Sequence, residues 1–201
     1  MRAVPDPTVL PKHGPEQPLP VLERDAEEGT PVEVEEIERQ AQIPESVIRG
    51  LFKLGAFGMK IPKPYGGLGF SYTNYGRVLT LIASWSNILA LTVAVPQSIG
   101  IAMPILLFGN KDQKRKYLPL VAREAISAFA LTENHVGSDP AGLSTTAVKS
   151  ADGSHWILNG EKLWCTNGTV ADVMVVMART GPKSITAFIV ERDWPGVEVV
   201  Q

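Results

Sequence analysis

The chain has 201 residues, of which 44% are hydrophobic and 20% are charged, a composition typical of a globular chain with one or two domains. Residues 1–45 hold 11 of the 21 acidic side chains, so the net charge of -2 conceals a mild basic excess in residues 46–201. Such an excess suits an anionic small molecule, whereas a pI near 5.9 and the lack of a dense basic stripe exclude a nucleic-acid surface.

The N-terminal part of the chain is predicted to be a lead-in followed by two helices. Residues 1–31 contain repeated prolines and polar side chains, which predict a mobile segment. Helical spacing of apolar residues then predicts helices over 32–42 and 44–54. The prolines and glycines of IPKPYGGLGF, residues 61–70, predict a loop. Its GGLG sequence follows no predicted strand, so we expect a turn between helices and not a phosphate-binding loop.

A long uncharged stretch follows, from Val78 to Asn110. Its length alone would suit a transmembrane helix. Polar residues lie near the middle of its first half, and prolines and a glycine interrupt its second half. This pattern favours two buried helices instead of one membrane span. We expect the first to begin at Ser71 or Thr73 and to end near Val95, and the second to cover 97–107.

The pattern changes from helical to β-rich after Glu124. Asn110 and Gln113 predict a capping box that opens a helix over 111–123. Short apolar runs separated by Gly, Asn and Asp then predict strands. These runs are SAFALT at 127–132, STTAVKS at 144–150, HWILNG at 155–160, VMVVMART at 173–180 and SITAFIVER at 184–192.

This order predicts an α+β chain with a helical bundle followed by the first strands of an antiparallel β-barrel or sandwich. The predicted domains are a lead-in at 1–31, a helical domain at 32–124 and a partial β domain at 125–201. Five or six strands would leave open edges in such a barrel, which favours a chain that is part of a larger β domain.

Two segments carry the most informative chemistry, and we call them the first and second strips. The first strip, FALTENHVGSD, covers 129–139. Main-chain N–H groups at Leu131 and Thr132 would meet the acceptors of a flat polar ring, and a turn at Gly137 and Ser138 would suit a pyrophosphate. The alternative for this strip alone is a strand that leads into an ordinary polar loop.

The second strip, GEKLWCTNG, covers 160–168. Strand alternation would send Trp164 and Thr166 to one face, so that an indole to pack on a ring and a hydroxyl to donate share a surface. Leu163 and Cys165 would face the other way. The alternative for a single tryptophan is a half-buried position on a sheet.

Together the strips resemble the flavin-binding segments of the acyl-CoA dehydrogenase family, and the resemblance extends over about residues 41–200. It includes the loop IPKPYGGLGF and the strand SITAFIVER. The family motif joins Thr-Glu-Pro to a Gly-Ser-Asp turn, and Asn134 replaces its proline here. The matching residues are Thr132, Glu133, Gly137, Ser138 and Asp139.

The resemblance implies FAD as the cofactor and α,β-dehydrogenation of an acyl-CoA thioester as the reaction. Ser138 would also approach the thioester end of the substrate. The implied cofactor-binding residues are Phe129, Leu131, Thr132, Gly137, Ser138, Trp164, Cys165 and Thr166. In most of the family the catalytic glutamate lies in a C-terminal helical domain, which the resemblance implies is absent from this chain. No residue here aligns with that glutamate, so no catalytic residue is assigned. Glu133 is expected to make structural hydrogen bonds.

The resemblance further implies acyl-CoA and an electron-transfer flavoprotein as partners and a homo-oligomer when complete, with a lean towards long-chain and very-long-chain members. Flavin-dependent acyl-CoA oxidases and monooxygenases of the same fold stay open as alternatives. A non-catalytic fragment or a helical interaction module is the alternative from another class. We expect the 201-residue chain alone to be inactive.

The single cysteine, the histidines and the N-terminal sequence indicate whether the chain has disulfides or a metal site and where the protein is located. A single cysteine, Cys165, excludes an internal disulfide framework. His13, His135 and His155 lack ligand spacing, so no metal site is expected, and only His135 lies in the cofactor segment. The acidic N-terminus lacks the features of a secretory signal. We expect a bacterial cytoplasmic protein, with the mitochondrial matrix as the alternative.

Overall fold

The computed structural model describes residues 34–200, in which α-helices precede a five-stranded sheet. The first two helices are α1 (Val34–Gln40) and α2 (Glu45–Lys53), close to the predicted bounds. The predicted lead-in at 1–31, with His13, lies outside the described residues. On α2, Val47 and Leu51 are buried one turn apart, as the apolar spacing predicts.

A turn held by close glycine contacts connects α2 to the next helix. A short 3-10 helix at Ala56–Gly58 is followed by the IPKPYGGLGF loop. Gly66 has φ 84°, a conformation that favours glycine. A Cβ on Gly67 would lie 2.1 Å from the carbonyl oxygen of Ile61. The glycines of GGLG therefore permit tight main-chain packing, which confirms the predicted turn between helices.

Two helices follow where one was predicted: α3 (Tyr72–Trp85) and α4 (Asn87–Ser98). Ser71 caps α3, and its hydroxyl accepts a main-chain N–H at 3.2 Å. The prediction of one helix to about Val95 was wrong. Ser86 is extended, at φ -150° and ψ 115°, and its hydroxyl caps α4, so it ends one helix and begins the next.

The helix α5 (Ala102–Phe108) begins later than the predicted 97–107. Gln97 instead lies in the last turn of α4, fully buried, and its amide donates to the carbonyl of Ala56 at 2.6 Å. A Cβ on Gly100 would lie 2.8 Å from the Pro96 Cα atom. The main chain that connects α4 to α5 therefore passes close to the last turn of α4.

The stretch Asn87–Phe108 is long and apolar enough to cross a membrane by length and composition alone. It consists of α4 and α5, with a break at 99–101. Core helices pass the same test, and both helices contribute buried side chains, Val93 and Ile105 among them. These contacts favour core helices over a membrane span, as expected from the sequence, although the helix bounds differ from the predicted ones.

The last helix, α6 (Lys111–Arg123), has the predicted bounds. Its capping box is formed as predicted. The Asn110 side-chain oxygen accepts the Gln113 N–H at 2.8 Å, and the Gln113 side chain accepts the Asn110 N–H at 2.9 Å. Tyr117, Leu118 and Val121 are buried on the face of α6 that meets the sheet.

The sheet is mixed and not purely antiparallel as predicted. Its strands are β1 (Ser127–Ala130), β2 (Thr146–Lys149), β3 (Trp156–Asn159), β4 (Val173–Gly181) and β5 (Ser184–Glu191). The hairpins β2–β3 and β4–β5 are antiparallel, but β1 and β2 both lie parallel to β4. The parallel pairs join segments separated by long connections, which the local turn signals cannot specify.

The sheet packs on the helices through a shared apolar core. Ile101 and Leu118 are buried together with Val173 and Val175 of β4. At the edge of this core, Glu191 of β5 accepts hydrogen bonds from two side chains of α6. The contacts are 2.7 Å from the Tyr117 hydroxyl and 2.6 Å from the Lys116 ammonium.

Candidate functional site

The first strip continues directly from β1. Phe129 is half-buried, and its ring packs partly against the core between helices and sheet. Leu131 and Thr132 follow and are also half-buried. Within residues 34–200, no hydrogen bond uses the main-chain N–H of Leu131 or Thr132. Two adjacent main-chain donors are thus left without an acceptor among the described residues.

Beyond these donors, the chain folds back at Glu133. Its N–H donates to the Val136 carbonyl at 2.9 Å, and the reciprocal bond is 3.1 Å. This bridge closes a tight turn over Asn134 and His135, so the turn forms without the family's usual proline. His135 is exposed at its tip.

The side chain of Glu133 is buried, and hydrogen-bond donors surround its carboxylate. Its carboxylate accepts the N–H groups of Ser144 and Thr145 at 2.7 and 3.0 Å. It also accepts a hydrogen bond from the Lys162 ammonium at 2.7 Å, and the two side chains are only 5% and 11% exposed. Glu133 therefore makes the predicted structural hydrogen bonds, and its partners Lys162, Ser144 and Thr145 were not predicted from the sequence.

These contacts determine the protonation state of the Glu133 carboxyl group. Burial alone would raise the pKa of the carboxyl group. The hydrogen bonds from Lys162, Ser144 and Thr145 outweigh that effect and hold the pKa well below its usual range. The carboxylate therefore stays ionised at neutral pH, and it is a poor proton acceptor.

The second strip is not a strand, contrary to the prediction. Residues 161–165 lack regular secondary structure, and Trp164 adopts φ 53°. The predicted division of faces nevertheless holds. Trp164 and Thr166 are exposed, the former by 88%, while Leu163 and Cys165 are half-buried.

The second strip lies beside the first and is tied to its carbonyl groups. The Leu163 N–H donates to the Thr132 carbonyl at 2.9 Å. The Cys165 thiol donates to the Phe129 carbonyl at 3.1 Å, and burial raises the pKa of this thiol. These bonds bring Trp164, Cys165 and Thr166 close to the first strip.

Two further contacts position the second strip. Gly160 lies so close to Thr145 that an added Cβ would be 2.4 Å from the threonine hydroxyl, so the strip approaches the start of β2 closely. At its other end, Asn167 adopts φ 65° and its amide donates to the Thr92 carbonyl on α4 at 3.0 Å. Asn167 was not among the site residues predicted from the sequence.

The remaining predicted residues, Gly137 and Ser138, lie in an exposed loop beyond the Glu133 turn. Asp139 then caps a 3-10 helix at Pro140–Gly142 by accepting the Ala141 N–H at 3.0 Å. The loop is open to solvent, and neither residue takes part in the contacts between the strips. Within residues 34–200, no three His, Cys, Asp or Glu side chains form a cluster suited to a metal ion.

Comparison with known proteins extends over both regions. Residues 23–125 match the model of the acyl-CoA dehydrogenase N-terminal domain, and residues 128–201 match that of the middle domain. The chain is 50% identical over 169 residues to the probable acyl-CoA dehydrogenase FadE10 of Mycobacterium tuberculosis, with 81% of this chain and 26% of that protein covered. It is 42% identical over 165 residues to the human mitochondrial very long-chain specific acyl-CoA dehydrogenase, with 77% and 25% covered.

A solved structure shows the same fold. An acyl-CoA dehydrogenase from Bacillus anthracis, complexed with FAD, superimposes with a TM-score of 0.79 at 37% identity, covering 90% of this chain and 31% of that one. The chain spans about a quarter of the length of the curated relatives that it matches. The chain belongs to the acyl-CoA dehydrogenase family.

Proposed function

We propose that this chain supplies part of the FAD site of an enzyme that dehydrogenates acyl-CoA thioesters between the α and β carbons. The observation that carries the proposal is the pairing of the two strips, which leaves the N–H groups of Leu131 and Thr132 without acceptors within residues 34–200 beside an exposed Trp164. The Bacillus anthracis relative with the same fold is a complex with FAD, which supports this choice of cofactor. Bound FAD would supply the acceptor for the β-hydride.

The residues present fit a flavin. The N–H groups of Leu131 and Thr132 would donate to the pyrimidine edge, which carries acceptors. The exposed indole of Trp164 would pack on the ring, and the exposed Thr166 hydroxyl would donate to the same ring system. Phe129 and Cys165 would line the same site. Ser138 and Gly137 would approach the pyrophosphate through their N–H groups, and Ser138 would also approach the thioester.

We assign no catalytic base to the described residues. A base for the α-proton must reach the substrate and accept a proton near neutral pH. Glu133 fails on both grounds, since it is buried and the hydrogen bonds from Lys162, Ser144 and Thr145 hold its pKa well below the usual range. The role of Glu133 in this proposal is to hold the loop between the strips.

The proposal extends to substrate, partners and location. Similarity to very long-chain specific relatives favours a long acyl chain, and the family role favours electron transfer to an electron-transfer flavoprotein and assembly as a homo-oligomer. Similarity to a mycobacterial protein favours the bacterial cytoplasm. The division into a helical domain at 32–124 and a β domain at 125–201 is part of the same proposal.

FAD titration of the purified chain tests the proposal, with flavin fluorescence and absorbance as readouts and a long-chain acyl-CoA added last. We expect saturable FAD binding, weakened in Thr166→Val, and no bleaching by the thioester. Thr169→Val, at an exposed position in the following turn, is the matched control. A folded chain that does not bind FAD would contradict the flavin site, and bleaching would contradict the absence of a base.

A further inference from the structure

We propose that Lys162 is a positioning residue that fixes the orientation of the Leu131–Thr132 peptide, and thereby directs the Thr132 N–H towards the flavin. This inference rests on the proposed FAD site. Its basis is the contact of the Lys162 ammonium with the Leu131 carbonyl oxygen at 3.1 Å.

The geometry of the peptide bond connects the two groups. The Leu131 carbonyl and the Thr132 N–H belong to one planar unit, and no peptide bond within the described residues is cis. In a trans peptide these groups point in opposite directions. A lysine that holds the carbonyl on one side therefore turns the N–H to the other side, away from its own positive charge.

The next carbonyl is held as well. Thr132 accepts the Leu163 N–H at 2.9 Å, so consecutive carbonyls of the first strip bind consecutive residues of the second. The N–H groups of Leu131 and Thr132 have no acceptor within residues 34–200. Satisfying the carbonyls while the N–H groups stay unpaired is the arrangement that a site for an acceptor-rich ring requires.

Lys162 is itself held in place by Glu133. The Lys162 ammonium is 2.7 Å from a Glu133 carboxylate oxygen, and that carboxylate also accepts the N–H groups of Ser144 and Thr145. The lysine side chain is only 11% exposed, so its ammonium has little freedom to leave the Leu131 carbonyl. Through the Glu133–Lys162 pair, the residues at the start of β2 therefore hold the Leu131–Thr132 peptide in place.

A set of three variants separates positioning from simple stabilisation. Lys162→Met keeps the alkyl chain but leaves the Glu133 carboxylate buried without its partner, which destabilises the fold. The double variant Glu133→Gln/Lys162→Met removes that unpaired charge and still lacks the contact with Leu131. Lys183→Met, at an exposed position between β4 and β5, is the control.

Two readouts are needed. The first is the three-dimensional NMR cross peak that correlates the Thr132 N–H with the Leu131 carbonyl carbon, measured without FAD. We expect this peak to move in Lys162→Met and in the double variant, because the carbonyl loses its charged donor, and to stay in place in Lys183→Met. An unmoved peak in the double variant would overturn the positioning role, whatever happens to flavin binding.

The second readout is FAD affinity, measured by flavin fluorescence. We expect the double variant to regain most of the stability lost in Lys162→Met, but to bind FAD about tenfold more weakly than the wild type, as for one lost hydrogen bond. Recovery of FAD affinity together with stability would show a purely structural lysine and overturn the proposal. The wild-type chain could bind no FAD while the Thr132–Leu131 cross peak still moves in the Lys162 variants. The proposed FAD site would then be wrong, and so would the claim that Lys162 directs the Thr132 N–H towards a flavin.

Discussion

The Glu133 carboxylate and the Lys162 ammonium depend on each other because both are buried at the contact between the strips. Removing one member of a buried pair leaves the other charge without compensation. Together with the bond from the Leu163 N–H to the Thr132 carbonyl, the pair connects the segment at 131–133 to the segment at 160–163. Its loss is therefore expected to affect both stability and the candidate flavin surface.

Glu133→Gln is expected to lower the free energy of unfolding by about 3 kcal/mol, because the amide leaves the Lys162 ammonium buried without a counter-charge. Urea unfolding at neutral pH measures this change. Glu161→Gln is the matched control, since Glu161 is exposed and lies next to Lys162 in the sequence. Equal stability of the two variants would contradict the importance of the buried pair.

The same carboxylate gives a pH dependence with a defined sign. The pKa of Glu133 is lower in the folded chain than the value of about 4.3 expected when unfolded. Its contribution is thus present above pH 4.3 and is lost as pH falls below that value, because the unfolded chain takes up the proton first. We expect the difference in unfolding free energy between wild type and Glu133→Gln to shrink from pH 5 to pH 3. A constant difference would contradict the low pKa.

At the scale of elements, local signals predicted the helix ends that side chains cap. The capping box of Asn110 and Gln113 fixed the start of α6, because both groups lie within four residues of each other. Ser86 is an equally local cap, but it lies inside an apolar run whose spacing favours a continuous helix. The break between α3 and α4 was therefore missed.

Asn110→Ala is expected to destabilise the fold by about 1 kcal/mol, since the N-terminus of α6 loses its side-chain acceptor. Thermal or urea unfolding measures the change. Asn87→Ala is the control, because Asn87 is an exposed asparagine in the first turn of α4 and Ser86 supplies the cap there. A comparable loss in the control would show that the effect does not arise from capping.

The second strip shows where prediction from sequence stopped. The predicted alternation in exposure holds, because Trp164 and Thr166 are exposed while Leu163 and Cys165 are half-buried. The conformation of the strip was not predicted, since hydrogen bonds to residues about thirty positions earlier determine it. The Glu133–Lys162 pair spans a similar separation. The sequence therefore predicted which side chains of the second strip are exposed, but not the tertiary contacts that hold the strip in place.

In the molecule as a whole, the interface between the helices and the sheet combines an apolar core with a polar cluster. Glu191 accepts hydrogen bonds from Lys116 and Tyr117, and these bonds lower the pKa of its carboxyl group, with Lys116 the largest cause. The hydroxyl of Tyr117 thus connects α6 to the last residue of β5.

Tyr117→Phe keeps the buried ring and removes this hydrogen bond, so we expect a loss of about 1 kcal/mol in unfolding free energy. Tyr72→Phe, at a tyrosine that is 69% exposed, is the control and should have little effect. Combining Tyr117→Phe with Glu191→Gln in a double-mutant cycle checks the pair directly. Additive effects of the two changes would contradict the contact.

If the two strips form one flavin surface, amide chemical shifts recorded during FAD titration must change on both strips together. We expect the largest shifts on Leu131, Thr132, Gly137 and Ser138 together with residues 164–166, with the edge strand β3 unaffected. Shifts confined to one strip, or centred away from both, would show that the strips do not form a single flavin surface.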